Sequence, residues 1–283
     1  MTELQAKIFE IFKEFVRVCE EHKLNYFVCG GTAIGTVRHK GFIPWDDDVD
    51  VAMPREDYEK LLALDNPFSD KKYFLQTFKT DPHYPWNFAK IRDSSTTYIE
   101  SSFRNVDMNH GVWLDIFPLD GISKTPKDPK KLVHELGWAW HHNYMMRAYA
   151  KRKRIRKATF FKDLWFNIYA YLFFWTNVGH WRNKYQERRC LRHKTSECEQ
   201  WICYYSNFRA RGITLRKWWM GPEVYGEFEG LRVRLPADYH AYLTSVFGDY
   251  MKLPPENKRH SEHKPKHVST TVGYKEYMKE HKL

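Results

Sequence analysis

Cysteine is scarce in this sequence, and the cysteines that are present form no recognisable pairs. There are five of them, an odd number, and no Cys-x-x-Cys spacing occurs. These absences argue against a disulfide framework and against a structural zinc site, and they fit a reducing compartment. We therefore expect a cytoplasmic protein with a hydrophobic core, for which the 42% of hydrophobic residues is sufficient.

Long apolar runs are also absent. No stretch of 18 apolar residues occurs, so we do not expect a simple membrane-spanning helix. The first 15 residues carry acids early and contain no apolar region followed by a small-residue cleavage site, so they do not resemble a signal peptide. No arrangement of Ser, His and Asp, or of Cys and His, suggests chemistry through a covalent intermediate.

Positive charge is plentiful but unevenly distributed. Of the 46 Lys and Arg residues, 14 lie between Arg147 and Lys194, together with only two of the 35 acids. In the same segment, ten of the 22 residues from Phe160 to Trp181 are aromatic. The rest of the chain is close to neutral, so the net charge of +11 belongs to this one segment.

The hydrophobic pattern predicts helices that alternate with short strands. Apolar residues recur at helical spacing from Leu4 to Cys19, which indicates an amphipathic helix. Further helices are predicted over residues 32–39, 54–64, 130–149 and 238–247. Strands are predicted over residues 26–29, 48–53, 86–92, 96–100 and 112–117, with a hairpin over 221–235. From Leu253 onward the chain is a Pro- and Lys-rich tail. This alternation is typical of an α+β or α/β fold, not of a helical bundle or a sandwich.

An unusual concentration of acid lies at one predicted strand. Four carboxylates, those of Asp46, Asp47, Asp48 and Asp50, fall within five residues. Residues two apart on a strand share a face, so Asp48 and Asp50 point the same way. Like charges on one face repel and lose hydration unless a cation lies between them, and Mg²⁺ prefers carboxylate oxygens. The pattern predicts a metal site, with a solvated acidic turn as the alternative.

Two further features are consistent with phosphate and metal chemistry. Gly30, Gly31 and Thr32 lie at a strand-to-helix break, where backbone N–H groups can approach a phosphate. A simple turn is the alternative for the two glycines. Asp115 places one acid inside an apolar strand, where a carboxylate needs a metal, a hydrogen-bond donor or solvent. A structural hydrogen bond is the alternative for Asp115.

The order of these motifs resembles the nucleotidyltransferase superfamily that includes DNA polymerase β. Residues 30–61, GGTAIGTVRHKGFIPWDDDVDVAMPREDYEKL, are similar to the LicD family of phosphocholine transferases, which is related to the fukutin group. Similar stretches follow in the same order at residues 87–93, 113–121 and 247–255. The resemblance covers about residues 1–120 and 220–260, and the middle of the chain matches only in character.

The resemblance implies an α+β fold with a nucleotidyltransferase-like mixed sheet flanked by helices. It implies catalytic residues Asp48, Asp50 and Asp115, which would hold Mg²⁺ or Mn²⁺. It also implies transfer of phosphocholine from CDP-choline to a sugar hydroxyl of a glycan or lipid-linked glycan, such as lipopolysaccharide or teichoic acid, with release of CMP. Phosphoryl transfer needs mainly positioning and charge stabilisation, which suits such a site. Asp50 and Asp115 are both candidates for the base that accepts the hydroxyl proton.

Basic and aromatic side chains near these motifs are candidate substrate-binding residues. Arg38, Lys90 and Arg92 can neutralise a diphosphate. A quaternary ammonium binds well over aromatic faces, so Trp45, Trp86 or Trp113 can surround choline, with core packing as the alternative for each. With Gly30, Gly31 and Thr32, the predicted substrate-binding residues are therefore Arg38, Trp45, Lys90 and Arg92. In the tail, Lys258, Arg259 and His263 are considered as further phosphate ligands, with a solvated surface as the alternative.

We divide the chain into a catalytic core at residues 1–145, a basic and aromatic helical insertion at 146–200, and a part at 201–283 that completes the catalytic domain. Bases beside an aromatic-rich helix are typical of elements that lie on an anionic membrane surface, so we expect peripheral contact with the inner membrane face. A buried helix pair with a basic outer face is the alternative.

Other functions remain compatible with the motifs. The same scaffold can transfer another phospho-alcohol, such as a phosphoalditol, or a nucleotidyl group. Bases interleaved with aromatic residues also suit single-stranded nucleic acid, as in an RNA-directed nucleotidyltransferase or an RNA-binding protein. However, the rest of the chain is neutral and contains no RNP, KH or zinc-knuckle pattern, so we do not expect a nucleic-acid partner.

Overall fold

The fold is α+β, as predicted, and it is built on a mixed sheet with helices around it. The computed structural model describes residues 1–101, 103, 106–122, 178–203, 213–261, 263 and 265–281. The helices are α1 (Glu3–Glu21), α2 (Gly30–Ile34), α3 (Arg55–Ala63), α4 (Val178–Cys190), α5 (Arg216–Trp219), α6 (Tyr239–Phe247) and α7 (Tyr274–Glu280). A π-helical turn, Gly35–His39, continues α2.

Eleven strands lie within the described ranges. They are β1 (Phe27–Val28), β2 (Asp50–Pro54), β3 (Tyr73–Gln76), β4 (Ala89–Asp93), β5 (Thr97–Glu100), β6 (Val112–Ile122), β7 (Gln200–Ile202), β8 (Ile213–Leu215), β9 (Val224–Phe228), β10 (Leu231–Leu235) and β11 (Pro265–Ser269). Five strands form the main sheet in the order β1-β2-β6-β4-β3, and β7 and β8 extend it from the end of β6. β2 and β6 are parallel, whereas the other neighbours in this sheet are antiparallel.

The central strand β6 is longer than the sequence predicts. Its first residues pair with β4, its middle residues pair with β2, and Asp120–Ile122 pair with β7. The extension depends on β7, which lies about 80 residues further along the chain, and local periodicity carries no information about such a partner. β6 is buried almost throughout, so it shows the continuous apolar character of a central strand.

The amphipathic helix α1 is confirmed, and it connects the core to the acidic loop. Thr2 and Gln5 form a capping box, in which the Gln5 N–H donates to Thr2 Oγ1 at 3.1 Å and the Thr2 N–H donates to Gln5 Oε1 at 2.8 Å. Its apolar stripe, which includes Ile8, Ile11, Phe12 and Phe15, is fully buried. The Gln5 amide also donates to the Asp46 carbonyl at 2.8 Å, so the helix start holds the loop before β2.

Several predicted elements differ from the structure. The predicted helix 32–39 is only partly α-helical, because the chain at Gly35 passes so close to Gly41 that a Cβ would lie 2.4 Å from the Gly41 carbonyl oxygen. The predicted tail instead supplies β11, which pairs with β5, and α7. The hairpin is confirmed as β9 and β10. The predicted helix 130–149 and most of the insertion lie outside the described residues.

None of the helices in the described part of the chain combines the length and apolarity that crossing a membrane requires.

Candidate active site

A row of charged residues crosses the main sheet where β2, β6 and β4 lie side by side. Asp50 on β2 is the register partner of Asp115 on β6, and Asp115 is in turn the partner of Lys90 on β4. The Lys90 ammonium lies 2.6 Å from Asp115 Oδ1 and both side chains are buried. All three residues line a cleft of about 750 Å³, which also receives Asp46 and Asp48. The three predicted acids, Asp48, Asp50 and Asp115, come from two separate motifs and line one cleft.

The carboxylates of the acidic loop and β2 are crowded, and their pKa values reflect this. Burial raises the pKa of Asp50 well above its usual range, and repulsion from Asp48, Asp115 and Asp46 raises it further. Burial also raises the pKa of Asp46, with Asp48 as the next cause, to about 8. Within the described residues, no hydrogen bond or ion pair reaches the Asp50 carboxylate. Asp50 is the acid in this row with the greatest need of a cation.

His263, from the C-terminal part of the chain, neutralises Asp48. Its Nε2 lies 2.9 Å from Asp48 Oδ2. Burial would lower the pKa of His263, but the hydrogen bond and charge of Asp48 outweigh it and raise the pKa to about 9. Burial likewise acts to raise the pKa of Asp48, yet His263 lowers it below its usual value. At neutral pH this contact is therefore an ion pair, and the predicted role of His263 near a substrate phosphate stays a prediction.

Asp47, the remaining acid of the run, is bound by side chains from two other parts of the chain. The Tyr98 hydroxyl donates to Asp47 Oδ2 at 3.0 Å, and the Ser261 hydroxyl donates to Asp47 Oδ1 at 2.5 Å. Asp47 thus ties β5 and the C-terminal segment to the acidic loop. Because Ser261 is two residues from His263, this anchor also positions the imidazole beside Asp48.

The glycine turn after β1 is shaped by the carboxylates that face it. Gly30 has φ of +57°, which favours glycine, and a Cβ there would lie 2.9 Å from Asp50 Oδ2. A Cβ on Gly31 would lie 2.6 Å from Asp46 Oδ2. The Gly30 N–H donates to the Tyr242 hydroxyl at 3.1 Å, so that N–H has a protein partner. Both glycines line the cleft and leave space directly over the acids.

Thr32 acts on the site through the backbone of β2. Its Oγ1 accepts a hydrogen bond of 2.8 Å from the Asp50 N–H, and the residue is not among the described residues that line the cleft. The structure thus places the Thr32 hydroxyl against the backbone of β2 and gives no support to its predicted role as a substrate ligand. Instead, its hydroxyl fixes the start of β2 and with it the direction of the Asp50 side chain.

The predicted arginines have protein partners. Arg38 lines the cleft, and its guanidinium donates to the carbonyls of Tyr250 at 2.6 Å and Lys252 at 3.3 Å. Arg92 is 1% exposed and donates to Gln76 Oε1 and to the Gly111 carbonyl, both at 2.7 Å. Arg92 shares its strand face with Lys90, as predicted, but it is absent from the described lining of the cleft.

The three candidate tryptophans lie in different surroundings. Trp113 is 3% exposed; its indole donates to Asp115 Oδ2 at 3.1 Å, and both Lys90 and Arg92 pack against its ring. Trp45 lines the cleft, with the Arg259 guanidinium 5.7 Å from its ring centroid. Trp86 also lines the cleft.

The donor chemistry of the cluster fits a hard divalent cation. Asp48, Asp50 and Asp115 supply carboxylate oxygens, which Mg²⁺ prefers, and a cation among them would relieve the repulsion that raises the Asp50 pKa. Within the residues that the structure describes, no three His, Cys, Asp or Glu side chains stand in a metal-coordinating arrangement. In the structure, Lys90 forms an ion pair with Asp115, and His263 forms one with Asp48.

Comparisons with known proteins identify the family to which the chain is similar. Residues 23–150 match the family model described as LicD/FKTN/FKRP, nucleotidyltransferase domain. The chain is 31% identical over 276 residues to the lipopolysaccharide cholinephosphotransferase LicD of Haemophilus influenzae, a match that covers 95% of this chain and 96% of that protein. Shorter matches, 34% identical over 50 residues, occur with the uncharacterized proteins RP689 of Rickettsia prowazekii and RT0683 of Rickettsia typhi. These two cover 18% of this chain and 19% and 16% of the respective relatives.

Proposed function

This chain belongs to the LicD family, and we propose that it transfers phosphocholine from CDP-choline to a sugar hydroxyl of a cell-surface glycan or its lipid-linked precursor. It is an enzyme, a LicD-like phosphotransferase. The similar protein of Haemophilus influenzae is a lipopolysaccharide cholinephosphotransferase, and the match to it spans nearly the whole of both chains. This relationship supports phosphocholine as the transferred group and a glycan as the acceptor.

The observation that carries the proposal is the charged row of Asp50, Asp115 and Lys90 beneath the glycine turn. It combines acids, a buried ammonium and an open approach within one cleft. Phosphoryl transfer requires this combination of positioning and charge stabilisation, with little covalent work by the protein. Burial lowers the pKa of Lys90 despite the attraction of Asp115, so holding its charge in this site is costly, and a diphosphate beside the ammonium would offset that cost.

The proposed reaction exchanges one phosphorus–oxygen bond for another. The acceptor hydroxyl oxygen bonds to the phosphorus that carries choline, and the bond from that phosphorus to the bridging oxygen of the diphosphate breaks. CMP leaves with the bonding electrons, and the hydroxyl proton passes to a carboxylate, for which Asp50 and Asp115 are the candidates. Asp48 is held by His263, and in this proposal it would help to orient the reacting groups.

Asp48, Asp50 and Asp115 are the proposed ligands for Mg²⁺ or Mn²⁺. When bound, the ion would neutralise charge on the diphosphate and on the leaving phosphate. Lys90 and His263 contribute fixed positive charge on either side of the acids, whether or not the ion is bound. Five of the predicted substrate ligands border the cleft: Gly30, Gly31, Arg38, Trp45 and Lys90.

We also propose that the enzyme works in the cytoplasm, at the inner membrane face. Support comes from α4, where Trp181 and Tyr185, one turn apart, are 66% and 61% exposed. Lys184 and Arg189 lie beside their rings, at 5.7 and 6.0 Å from the centroids. Exposed aromatic side chains flanked by bases suit the headgroup region of an anionic bilayer.

The division of the chain into three parts is retained as a proposal. Its support is that strands from the C-terminal part pair with strands of the N-terminal core: β7 pairs with β6, and β11 pairs with β5. His263 then reaches Asp48 across 215 residues of sequence. The C-terminal part thus contributes both strands and a side chain to the proposed catalytic domain.

Product analysis tests the function directly. Purified enzyme is incubated with Mg²⁺, a glycan acceptor and a panel of CDP-alcohols, and the products are identified by mass spectrometry. We expect CMP and a phosphocholine-modified glycan from CDP-choline, and loss of both with Asp50→Asn. Asp238→Asn is the matched control, because Asp238 caps α6 outside the described cleft lining and Asn caps helices equally well.

Each alternative function predicts a different product. Pyrophosphate released from CTP or ATP would replace the proposal with nucleotidyl transfer, and exclusive use of another CDP-alcohol would replace choline with that head group. Full activity of Asp50→Asn would refute the assignment of the charged row as the catalytic site.

A further inference from the structure

The residues next to the charged row form an apolar and aromatic row on the same face of the sheet. Two positions beyond Asp50 on β2 lies Ala52, whose register partner on β6 is Phe117, two positions beyond Asp115. On β4, Ala89 pairs with Ile116, so Phe88 comes next and meets Phe117 at a ring-centroid distance of 4.8 Å. Ala52, Phe88 and Phe117 all line the cleft. The floor of the cleft therefore changes from charged to aromatic within one step along the strands.

Trp86 extends this row into a wall. It is two residues before Phe88, and its ring stacks on Phe88 with centroids 6.0 Å apart and an interplanar angle of 13°. Phe117 is tilted by 46° relative to Phe88, so the three rings, which we name the aromatic wall, present faces in more than one direction. Glu100, at the end of β5, lines the same cleft and supplies a carboxylate.

From this juxtaposition we infer that the aromatic wall of Trp86, Phe88 and Phe117, with Glu100, binds the quaternary ammonium of the transferred phosphocholine. The inference rests on the proposed function and specifies where the head group lies. Aromatic faces attract a quaternary ammonium through the ring quadrupole, and a nearby carboxylate adds charge attraction. The Phe88 ring already lies 5.5 Å from the Lys90 ammonium, so its face accepts a cation in this structure.

The spacing of the two rows suits this ligand. Same-face residues two apart on a strand are separated by about 7 Å. In phosphocholine, the phosphorus and the ammonium are joined through one oxygen and two carbons, so a phosphate at Lys90 places the ammonium at the next row. The cytosine of CDP-choline lies much further from the reacting phosphorus, beyond a ribose and a second phosphate.

Trp86 is also the best placed of the tryptophans considered for choline. Trp113 is not among the described residues that line the cleft. Trp45 lines the cleft beside the Arg259 guanidinium, whereas the Trp86 ring stacks on Phe88 and so continues the aromatic row.

Binding of three small probes to the full-length protein tests the inference. Phosphocholine is compared with 3,3-dimethylbutyl phosphate, which has the same shape but a carbon in place of the charged nitrogen, and with CMP. We expect the wild-type protein to prefer phosphocholine over the neutral analogue by about tenfold in Kd, measured by calorimetry. Trp86→Leu and Glu100→Gln should each reduce this preference to about twofold or less, with unchanged affinity for CMP.

Further variants separate binding from folding. Trp86→Phe keeps an aromatic face and should retain most of the preference, and Glu100→Gln preserves the shape of the wall. Tyr225→Leu is the matched control, because it removes another aromatic ring that lies under a cation, Arg232 at 3.7 Å, but outside the described cleft lining. Circular dichroism and the thermal midpoint report whether each variant is folded.

The outcomes distinguish this inference from the proposed function. If folded Trp86→Leu or Glu100→Gln keeps the tenfold preference, or if CMP binding falls as much as phosphocholine binding, the aromatic wall does not bind the ammonium. In that case CMP release from CDP-choline by the wild-type enzyme would still support the function. A wild-type protein that neither binds phosphocholine nor releases CMP overturns both.

Discussion

Residues 113–121 contain two acids, Asp115 and Asp120, for which the structure indicates opposite roles. The residues are five apart on β6, so their side chains lie on opposite faces of the sheet. Asp115 faces the cleft, whereas Asp120 is fully buried and accepts two hydrogen bonds from Arg55 at the start of α3. These bonds join Nε to Oδ1 at 2.6 Å and Nη2 to Oδ2 at 2.9 Å. The Arg55 side chain is itself only 4% exposed.

We predict that Asp120→Ala destabilises the protein by about 3–5 kcal/mol, because it leaves a buried guanidinium without its main counter-charge. That is a large part of the stability of a typical domain. Asp115→Asn should cost much less, since the neighbouring acids still compensate Lys90, but it should abolish CMP release. Urea unfolding followed by tryptophan fluorescence measures the first quantity, and the product assay measures the second.

A double variant provides the internal control. Arg55→Met with Asp120→Leu removes both charges and fills the space with apolar groups, so it should recover most of the stability lost in Asp120→Ala. If Asp120→Ala lowers the free energy of unfolding by less than about 1 kcal/mol, the reasoning is refuted, because that is the contribution expected of a solvent-exposed ion pair. So would a double variant that is less stable than Asp120→Ala.

Three further predictions address the glycine turn, the pH dependence of stability and the membrane surface. Gly30→Ala should reduce turnover by about a hundredfold, because the added Cβ would displace the Asp50 carboxylate. The rate of CMP release from CDP-choline measures this. Burial lowers the pKa of His110 to about 4, so the folded protein excludes a proton that the unfolded chain takes up below about pH 6.5. Stability should therefore be unaffected by His110 above pH 6.5 and fall as the pH drops towards 4. Between pH 7 and pH 4, the free energy of unfolding of the wild-type protein should fall by about 3 kcal/mol more than that of His110→Gln, as measured by urea unfolding. Replacing Trp181 and Tyr185 with Ser should weaken co-sedimentation with anionic vesicles severalfold at an unchanged thermal midpoint, and equal binding would remove the membrane proposal.

Local sequence spacing predicts only part of the charged row. The spacing of Asp48 and Asp50 predicts that both lie on one strand face, but β2 begins at Asp50, and Asp48 lies in the loop before it. The apolar run around Asp115 predicts a buried strand, and Asp115 does lie on the buried strand β6. The parallel pairing of β2 with β6 then makes Asp50 and Asp115 neighbours. The apolar and aromatic row was harder to predict. Phe117 alternates with residues that are buried on the other face, so the period of two is lost in a continuous apolar stretch.

The partners of these residues could not be predicted, because they depend on contacts between distant parts of the chain. Asp48 is paired with a histidine 215 residues away, and Asp47 is bound by Tyr98 and Ser261. A sequence pattern indicates where charge accumulates, but not which charges the fold neutralises by itself. Arg92 illustrates the consequence, since its guanidinium donates to the Gln76 side chain and the Gly111 carbonyl and is absent from the described lining of the cleft.

The same distinction explains which predicted cations remain suited to a diphosphate. Arg38 and Arg92 both donate to backbone carbonyls, which carry no full charge, and these bonds hold the chain around the cleft. Lys90 and His263 instead pair with carboxylates at the cleft surface. Under the proposed metal assignment, a divalent cation bound by Asp48 and Asp115 would compete with these ion pairs, and Lys90 and His263 would then be available to phosphate. On that proposal, substrate recognition would fall to the residues whose present partners are the proposed metal ligands.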